Sequence, residues 1–353
     1  MFTIPIANQL SYRSIPRNRE LGLTIANNCD FPKRVLVVDR EGECFICACE
    51  AWLPISVGNI MSFKRLADIW TTPAARAIQQ DIKERKYTHC AVDRCGVLTQ
   101  DQRARDFTGR TDIDDCYYIS INIDDSCNLA CPSCRPDINN ITEGPEFEAR
   151  ASMVNHLVLL LEQFDQPAHI VMSGNGDPLA SSIMRPLLHS YNPLPNQTIR
   201  LFTNGLLLTK QLKDNPIVDN ISQYFISIDA GSRAVYETVR QPGRWDVLIR
   251  NFDFLREVVA ITGAEVLLKF VLQAANYSDM ENFALLCEHY GFAGVINRLE
   301  DWGTWPDFNQ QDCIGNVNHP AHQASIAELR RVYTLYHSRI QFNPSLKALC
   351  QTL

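Results

Sequence analysis

Strand-like and helix-like segments alternate along the chain from Cys116 onward, and this alternation limits the possible folds more than any other feature. Runs rich in β-branched and aromatic residues predict strands near 117–123, 168–173, 198–203, 222–229, 265–272 and 293–299. Amphipathic segments between them predict helices near 146–164, 179–190, 206–213, 244–261 and 279–290. Repeated strand–helix units predict a parallel sheet with right-handed crossovers.

Three cysteines stand on the loop that leaves the first predicted strand. Cys127, Cys131 and Cys134 have C-x3-C-x2-C spacing, which can wrap one metal centre. A [4Fe–4S] cluster is normally held by four thiolates, so three leave one iron open to a substrate or a cofactor. The alternatives are buried cysteines without a metal or a zinc knuckle, although the residues after Cys134 offer no fourth zinc ligand.

This cysteine triplet resembles the cluster motif of the radical S-adenosylmethionine (SAM) enzymes. The resemblance implies that SAM chelates the open iron, and that the reduced cluster cleaves SAM to a 5′-deoxyadenosyl radical, which abstracts hydrogen from a substrate. It implies an α/β fold in which the six predicted strands form a partial (β/α)6 TIM barrel, with active-site groups at the carboxyl ends of the strands. The implied cofactors are a SAM-binding [4Fe–4S] cluster and S-adenosyl-L-methionine, and the implied electron donor is a flavodoxin- or ferredoxin-type reductant.

Cysteine content and charge restrict the compartment and the partners. Ten of the 13 cysteines lie between Cys29 and Cys134, and the N-terminus does not resemble a signal peptide. An odd count without such a signal disfavours a secreted disulfide scaffold. The net charge of −7, without a Lys/Arg-rich run, predicts neither nucleic acid nor an anionic membrane as a partner. No apolar run approaches the roughly 20 residues that span a bilayer, so we expect a cytoplasmic protein.

The segment before the predicted barrel resembles the twitch and SPASM modules that hold an auxiliary [4Fe–4S] cluster in many radical SAM enzymes. It shares a hairpin ending at Cys47, the run Val57-Gly-Asn-Ile60, a helix from Leu66 through Trp70 to Ile82, and a terminal pair of cysteines. The resemblance implies four ligands: Cys29, Cys47, Cys90 and Cys95. Alternatively, some of these are buried thiols or zinc ligands.

Two features of this module stay open. The sequence gives no role to Cys44, Cys49 or Cys116. The module also precedes the barrel here, whereas in the family it usually follows it. The predicted organisation is an N-terminal arm (1–28), a small α+β iron–sulfur module (29–98), a linker (99–115), the radical SAM barrel (116–310), and a C-terminal loop and helix that close the barrel (311–353).

Motifs at the ends of the later strands resemble the SAM-binding motifs of the same family. Gly174-Asn-Gly-Asp-Pro178 is similar to Gly-Gly-Glu-Pro, 203–205 reads Thr-Asn-Gly, 227–229 reads Ser-Ile-Asp, and Arg240 stands where the family's arginine binds the SAM carboxylate. The implied SAM-binding residues are Gly174, Asn175, Gly176, Asp177, Asn204, Ser227, Asp229 and Arg240. Taken alone, Gly-Asn-Gly-Asp is equally well explained by a turn, and Arg240 by a surface ion pair.

The loop after the sixth strand bears on what the radical attacks. Trp302, Trp305 and Phe308 are placed to exclude water or grip a peptide, unless they form a local hydrophobic cluster. Cys313 is the predicted catalytic hydrogen donor, because a thiol S–H bond is weak enough to give hydrogen to a carbon radical. The alternatives are a free thiol or an extra cluster ligand, with Cys350 as a second candidate donor.

A cysteine donor and this layout resemble the proteusin-type peptide epimerases of the radical SAM class. The resemblance implies L-to-D epimerisation at Cα of a ribosomally made precursor peptide. Two other functions stay open. One is peptide crosslinking or dehydrogenation with the auxiliary cluster as electron acceptor. The other is a non-enzymatic zinc or iron–sulfur electron-transfer protein.

Overall fold

Nine strands form one sheet in the computed structural model, which describes residues 29–47, 52–91, 95, 115–173, 175–301 and 303–351. The strands are β1 (Val35–Val38), β2 (Cys44–Phe45), β3 (Tyr117–Ile121), β4 (Ala168–Met172), β5 (Gln197–Thr203), β6 (Ile221–Ser227), β7 (Glu265–Leu272), β8 (Ala293–Arg298) and β9 (Ile340–Phe342). The helices are α1 (Phe31–Arg34), α2 (Pro73–Lys83), α3 (Pro145–Leu161), α4 (Arg185–His189), α5 (Leu208–Leu212), α6 (Arg233–Val239), α7 (Trp245–Thr262), α8 (Met280–Tyr290), α9 (His322–Tyr336) and α10 (Pro344–Gln351). Among the residues just given, no helix combines the length and the apolar character that a membrane crossing requires.

The six predicted strands are present and lie side by side in chain order. β3 to β8 run parallel, each paired with the next. Their ends agree with the predicted strands to within two residues. The predicted α/β fold with a mostly parallel sheet is therefore confirmed. Closure into a six-unit barrel stays a prediction.

Burial alternates along β3 to β8, as expected for strands covered by helices on one side. The covered face is apolar and buried, with Ile119, Ile170, Leu201, Ile226 and Phe270 at 0% exposure. The side chains at the alternate positions are half-buried, and we call this side the open face. Its members include Tyr118, Ser120, His169, Val171, Arg200, Phe202, Phe225, Ser227, Lys269 and Val295.

The sheet continues beyond the six predicted strands on both sides. β1 pairs in parallel with β3, from Val35 opposite Tyr118 to Val38 opposite Ile121, and antiparallel with β2. β9 pairs in parallel with β8. The sequence analysis assigned the β1–β2 hairpin to the N-terminal module and did not predict that its strand extends the barrel sheet. All four side chains of β1 are buried, which is typical of a strand in a covered parallel sheet.

The predicted continuous helix from Leu66 to Ile82 is interrupted. A 3₁₀-helix spans Leu66–Thr71, and α2 begins at Pro73 with the Thr72 side chain accepting a hydrogen bond from the Ala75 N–H. Proline disfavours helical geometry in the residue before it and is well tolerated at the first helical position, which explains the break. The Trp70 indole N–H donates to the Val35 carbonyl over 3.2 Å, so this segment is attached directly to β1.

Replacing Leu36 by alanine tests whether β1 belongs to the sheet in solution. Leu36 is fully buried, so the variant should lose about 2–5 kcal/mol of unfolding free energy. The measurement is urea unfolding followed by circular dichroism and tryptophan fluorescence. Ile261→Ala is the control, because Ile261 is 85% exposed and its truncation should change stability by less than about 0.5 kcal/mol. A loss in Leu36→Ala no larger than in the control would contradict the pairing of β1 with β3.

Candidate active site

The loop that carries the cysteine triplet meets three other loops at the carboxyl edge of the sheet. The Asp177 N–H donates to the Ser126 carbonyl over 2.8 Å, and the Ala130 N–H donates to the Gln241 carbonyl over 2.7 Å. The Asn204 side-chain amide donates to Asn128 Oδ1 over 2.8 Å. The loop after β3 therefore contacts the segments after β4, β5 and α6. These segments carry most of the predicted SAM-binding residues.

The three thiols of the triplet lie close enough to influence one another. Burial raises the pKa of Cys131 to about 11; Arg240 acts against this rise, while Asp229, Cys127 and Cys134 add to it. Cys127 is half-buried, Cys131 is buried and Cys134 is exposed. Binding to iron replaces the thiol proton, so a metal would stabilise thiolates that this environment disfavours.

In the part of the chain that the structure describes, no group of three or more His, Cys, Asp or Glu side chains is arranged to hold a metal ion.

The Cys127 sulfur accepts hydrogen bonds from its surroundings. The Leu129 N–H lies 3.4 Å and the Asn204 Nδ2 3.9 Å from Cys127 Sγ. The sequence analysis predicted that Asn204 contacts SAM; in the structure its amide faces the cysteine loop. Hydrogen bonds to ligand sulfurs are among the factors that set the potential of an iron–sulfur cluster.

The Asp177 carboxylate is occupied by protein donors. Asp177 is 2% exposed. Its Oδ2 accepts hydrogen bonds from Thr203 Oγ1 over 2.9 Å and from the Asn204 N–H over 2.7 Å. Its Oδ1 accepts a hydrogen bond from the Leu179 N–H over 2.9 Å. Burial raises the pKa of Asp177, and these donors act against the rise. The sequence analysis named Asp177 as an implied SAM-binding residue. In the structure it joins the loop after β4 to the end of β5.

The rest of the Gly-Asn-Gly-Asp motif packs against the start of the cysteine loop. A Cβ atom at Gly176 would lie 2.1 Å from the Ser126 carbonyl oxygen, so only glycine fits at this position. Asn175 is exposed. Gly174, also predicted to bind SAM, lies outside the described residues.

Arg240 and Asp229 form a buried ion pair beside the triplet. Arg240 Nη1 lies 3.0 Å from Asp229 Oδ2, and the two side chains are 11% and 2% exposed. The second oxygen of Asp229 accepts the Val271 N–H over 2.8 Å. Burial lowers the pKa of Arg240, but Cys131 and Asp229 raise it by more, so the guanidinium stays charged. Its Nε is buried and has no hydrogen-bond partner among the described residues. Ser227 lies two residues before Asp229, half-buried on the open face.

Arg135 is a site residue that the sequence analysis missed. Its guanidinium donates to the Asp125 carbonyl over 2.6 Å and to the Asn175 carbonyl, so it bridges the loops after β3 and β4. Burial lowers the pKa of Arg135, but Cys134 and Cys127 raise it by more. Arg135 therefore places a permanent positive charge beside two predicted cluster ligands. The available signal was its position directly after the third cysteine.

Three of the predicted auxiliary ligands act electrostatically on the fourth, Cys90. Burial raises the pKa of Cys90, and Cys47, Cys95 and Cys29 raise it further, in that order. Cys47 and Cys95 are buried, whereas Cys29 and Cys90 are half-buried. Cys44 is fully buried in β2, where its thiol lies 3.9 Å from the Gly42 carbonyl. Cys49 is not among the described residues.

Cys313 stands on a loop attached to the carboxyl ends of β7 and β8, but its thiol is buried. The Ala274 N–H donates to the Gln311 carbonyl over 2.9 Å, and Arg298 Nη2 lies 3.4 Å from Asp312 Oδ2. Cys313 is 0% exposed and packs against the start of α9, where Ser325 Oγ donates to its carbonyl over 3.0 Å. In this arrangement the thiol is not exposed to solvent. On the same loop the Trp305 and Phe308 rings lie 6.5 Å apart, and Trp302 is outside the described residues.

Comparison with known proteins places the cysteine-rich N-terminal part in a domain family. Residues 29–96 match SPASM, an iron–sulfur cluster-binding domain. The bounds of the module predicted at 29–98 stay a prediction.

Two curated proteins match about half of the chain. An AdoMet-dependent heme synthase of Oleidesulfovibrio alaskensis is 26% identical over 179 residues, which cover 50% of this chain and 44% of the relative. The mycofactocin maturase MftC of Mycobacterium tuberculosis is 24% identical over 182 residues, which cover 52% of this chain and 44% of the relative. The match thus spans less than half the length of each relative.

Solved structures resemble the chain at low identity. Streptococcus suis SuiB bound to S-adenosylmethionine is 13% identical, with a TM-score of 0.42, over 91% of this chain and 72% of that one. A radical SAM methyltransferase from Sphaerobacter thermophilus is 17% identical, with a TM-score of 0.39, over 65% of this chain and 67% of that one. Both TM-scores are low.

Together, the matched domain and the curated relatives support a radical SAM protein with a SPASM module. The predicted cofactors, iron–sulfur clusters and S-adenosylmethionine, agree with the description of the domain and with the names of the heme synthases, and this prediction is confirmed. The epimerase type and the ligand role of each cysteine stay predictions.

Iron and sulfide content tests the two groups of cysteines separately. We expect about eight irons per reconstituted chain, and about four after either Cys127, Cys131 and Cys134 or Cys29, Cys47, Cys90 and Cys95 are changed to alanine, because each group is predicted to hold one four-iron cluster. Iron and acid-labile sulfide are measured after anaerobic reconstitution, with Cys350→Ala as the control. Full iron content in either multiple variant would remove that group from the ligand set.

Proposed function

We propose that this chain is a radical SAM enzyme that generates a 5′-deoxyadenosyl radical and uses it on a peptide. The observation that carries the proposal is the buried Arg240 guanidinium, whose Nε has no partner among the described residues, beside the Cys131 thiol. A buried donor without an acceptor is unfavourable, so this position favours a ligand with a negatively charged oxygen. The carboxylate of SAM fits that requirement, and it would approach a cluster held by the adjacent triplet.

The residues around the triplet fit a cluster with one open iron. Cys127, Cys131 and Cys134 would hold three irons, Asn204 and the Leu129 N–H would donate to the Cys127 sulfur, and Arg135 would offset negative charge near Cys134. When bound, the cluster and SAM supply reductive cleavage of SAM to methionine and the 5′-deoxyadenosyl radical. Arg240 would orient the carboxylate end of SAM, since a charged fork matches a carboxylate in two places. The electron would come from a flavodoxin- or ferredoxin-type reductant.

The peptide substrate is inferred from the pairing of two cysteine groups. A SAM-type triplet with a SPASM module resembles the family members that modify ribosomally made peptides. Mycofactocin maturases are among the similar proteins, and so are heme synthases. A precursor peptide is therefore the substrate class we propose.

Within this class the finer proposal is epimerisation. The radical would take the Cα hydrogen of a peptide residue, and Cys313 would return a hydrogen atom to the other face. The resulting sulfur radical would then need one electron and one proton. The buried position of Cys313 means that its loop has to move away from α9 for this step.

A second candidate is dehydrogenation or crosslinking. Four cysteine ligands from the module, Cys90 and the three cysteines that act on it electrostatically, would leave no iron of an auxiliary cluster open, and such a closed cluster suits electron transfer. Such a cluster would accept the electron left on the substrate radical, while a proton passes to solvent. This reaction needs no thiol donor, so the burial of Cys313 is compatible with it.

Arg240→Lys tests the SAM site. Lysine keeps the charge but loses the forked donors, so SAM should bind about tenfold more weakly, as expected for the loss of one charge-assisted hydrogen bond. The readout is the electron paramagnetic resonance spectrum of the reduced cluster during a SAM titration, at unchanged iron content. Arg250→Lys, an exposed position on α7, is the control. Equal SAM affinity in Arg240→Lys and wild type would remove Arg240 from the site.

The fate of the peptide separates the candidate reactions. With a candidate precursor in D2O, epimerisation should add one deuterium per altered residue, whereas dehydrogenation or crosslinking should remove two hydrogens without deuterium gain. Cys313→Ala should abolish the D-residue and leave 5′-deoxyadenosine formation intact, whereas Cys350→Ala, which removes the second candidate donor, should leave the yield of D-residue unchanged. An unchanged yield of D-residue in Cys313→Ala would exclude Cys313 as the donor. No 5′-deoxyadenosine from wild type under reduction would leave only a zinc or electron-transfer protein.

A further inference from the structure

Two basic side chains on the open face form no ion pair within 4 Å with any described residue. Lys269 lies in β7 and Arg200 in β5, and both are half-buried. Within the part of the chain that is described, neither side chain makes a hydrogen bond or an ion pair within 4 Å, and the Arg200 Nε is buried without a partner. Charged groups removed from water are normally paired, so two unpaired cations on one face are unusual.

Each cation rests on an aromatic ring instead. Arg200 Cζ lies 4.9 Å from the Tyr118 ring centroid, and Lys269 Nζ lies 5.4 Å from that of Phe202. Phe202 itself is stacked on Phe225 with centroids 4.3 Å apart. Cation–π contacts hold the cations in place but leave their N–H donors unsatisfied. The rings therefore pre-organise both donors for an anion.

The acidic groups near this face do not neutralise these cations. Glu265 lies at the amino end of β7, is exposed, and accepts a hydrogen bond from Gln223 over 2.6 Å. Asp229, at the carboxyl end of β6, is occupied by Arg240 and the Val271 N–H. Burial lowers the pKa of Lys269, and the more distant Asp229 opposes this only in part. The middle of the open face thus carries uncompensated positive charge.

We propose that Arg200 and Lys269 form an anion subsite that receives carboxylate side chains of an acidic segment of the substrate. This inference rests on the proposed function, because it takes the substrate to be a peptide. The Arg200 guanidinium lies over Tyr118 of β3 and the Lys269 ammonium over Phe202 of β5, so the two cations occupy different positions across the open face. A peptide segment that crosses the strands would place one carboxylate at each position. The other source of a carboxylate is SAM, and the experiment distinguishes the two.

The probe is a library of random dodecapeptides selected for binding to the reconstituted, SAM-bound protein. Aspartate and glutamate should be enriched over asparagine and glutamine with wild type, and not with the Arg200→Gln/Lys269→Met variant. The matched control is Arg250→Gln/Lys213→Met, which removes the same charges from exposed positions. The affinity of a selected peptide should fall about 10- to 100-fold in the open-face variant.

A double-mutant cycle then assigns the contact. Changing the acidic residue of the selected peptide to its amide should weaken binding to wild type by the same factor and have little further effect in the variant. No acidic enrichment, or equal peptide affinity in variant and wild type, would overturn the proposal. A tenfold or greater loss of SAM affinity in the variant would also overturn it, because the cations would then serve SAM.

Two readouts keep the outcomes separable. The open-face variant must match wild type in iron content and in its circular dichroism spectrum. If the variant misfolds, the difference in affinity of wild type for the acidic peptide and for its amide form tests the anion subsite instead. Formation of 5′-deoxyadenosine without peptide reports on the proposed function independently. Its presence together with a failed selection would overturn the anion subsite and leave the radical SAM assignment standing.

Discussion

Buried aspartate carboxylates hold the loops at the carboxyl edge of the sheet, and the site depends on them. Asp177 accepts the Asn204 N–H, Asp229 accepts the Val271 N–H, and Asp279 accepts the Gly231 and Ser232 N–H groups. Each of the three is 2% exposed. A charge removed from water is tolerated only when it is hydrogen-bonded, so each carboxylate fixes the backbone of a neighbouring segment. These contacts set the positions of the loops around the triplet.

The two cysteine groups are attached to adjacent strands of this framework. Val38 at the end of β1 is opposite Ile121 at the end of β3, and the Asn122 N–H donates to the Val38 carbonyl over 2.8 Å. The hairpin that leads to Cys47 and the loop that carries Cys127 thus leave the same edge of the sheet. Because β1 and β3 pair in a fixed register, these two segments keep a constant position relative to each other. This arrangement is suited to the transfer of an electron between two centres.

Local sequence patterns predicted the six central strands, because alternating β-branched residues are visible within each segment. The ligand groups inferred from cysteine spacing and family motifs stay predictions. Pairing between distant strands could not be predicted from the sequence. Nothing within Val35–Val38 or Ile340–Phe342 shows which strand each segment will pair with. The contacts of Asp177 and Arg135 were missed for the same reason, since their partners are backbone groups that lie close only after folding. The interruption of the helix before Pro73 could have been predicted, because proline disfavours helical geometry at the preceding residue, Thr72.

The position of the hairpin also determines how the chain can be divided. β1 covers the outer side of β3, and β9 covers the outer side of β8. A fragment that begins at Cys116 would leave the backbone N–H and C=O groups of β3 unpaired along a flat margin, a template for association with other copies. Expression of the part from Cys116 onward alone should therefore give aggregates, and the cysteine-rich N-terminal segment prevents that association by pairing with β3.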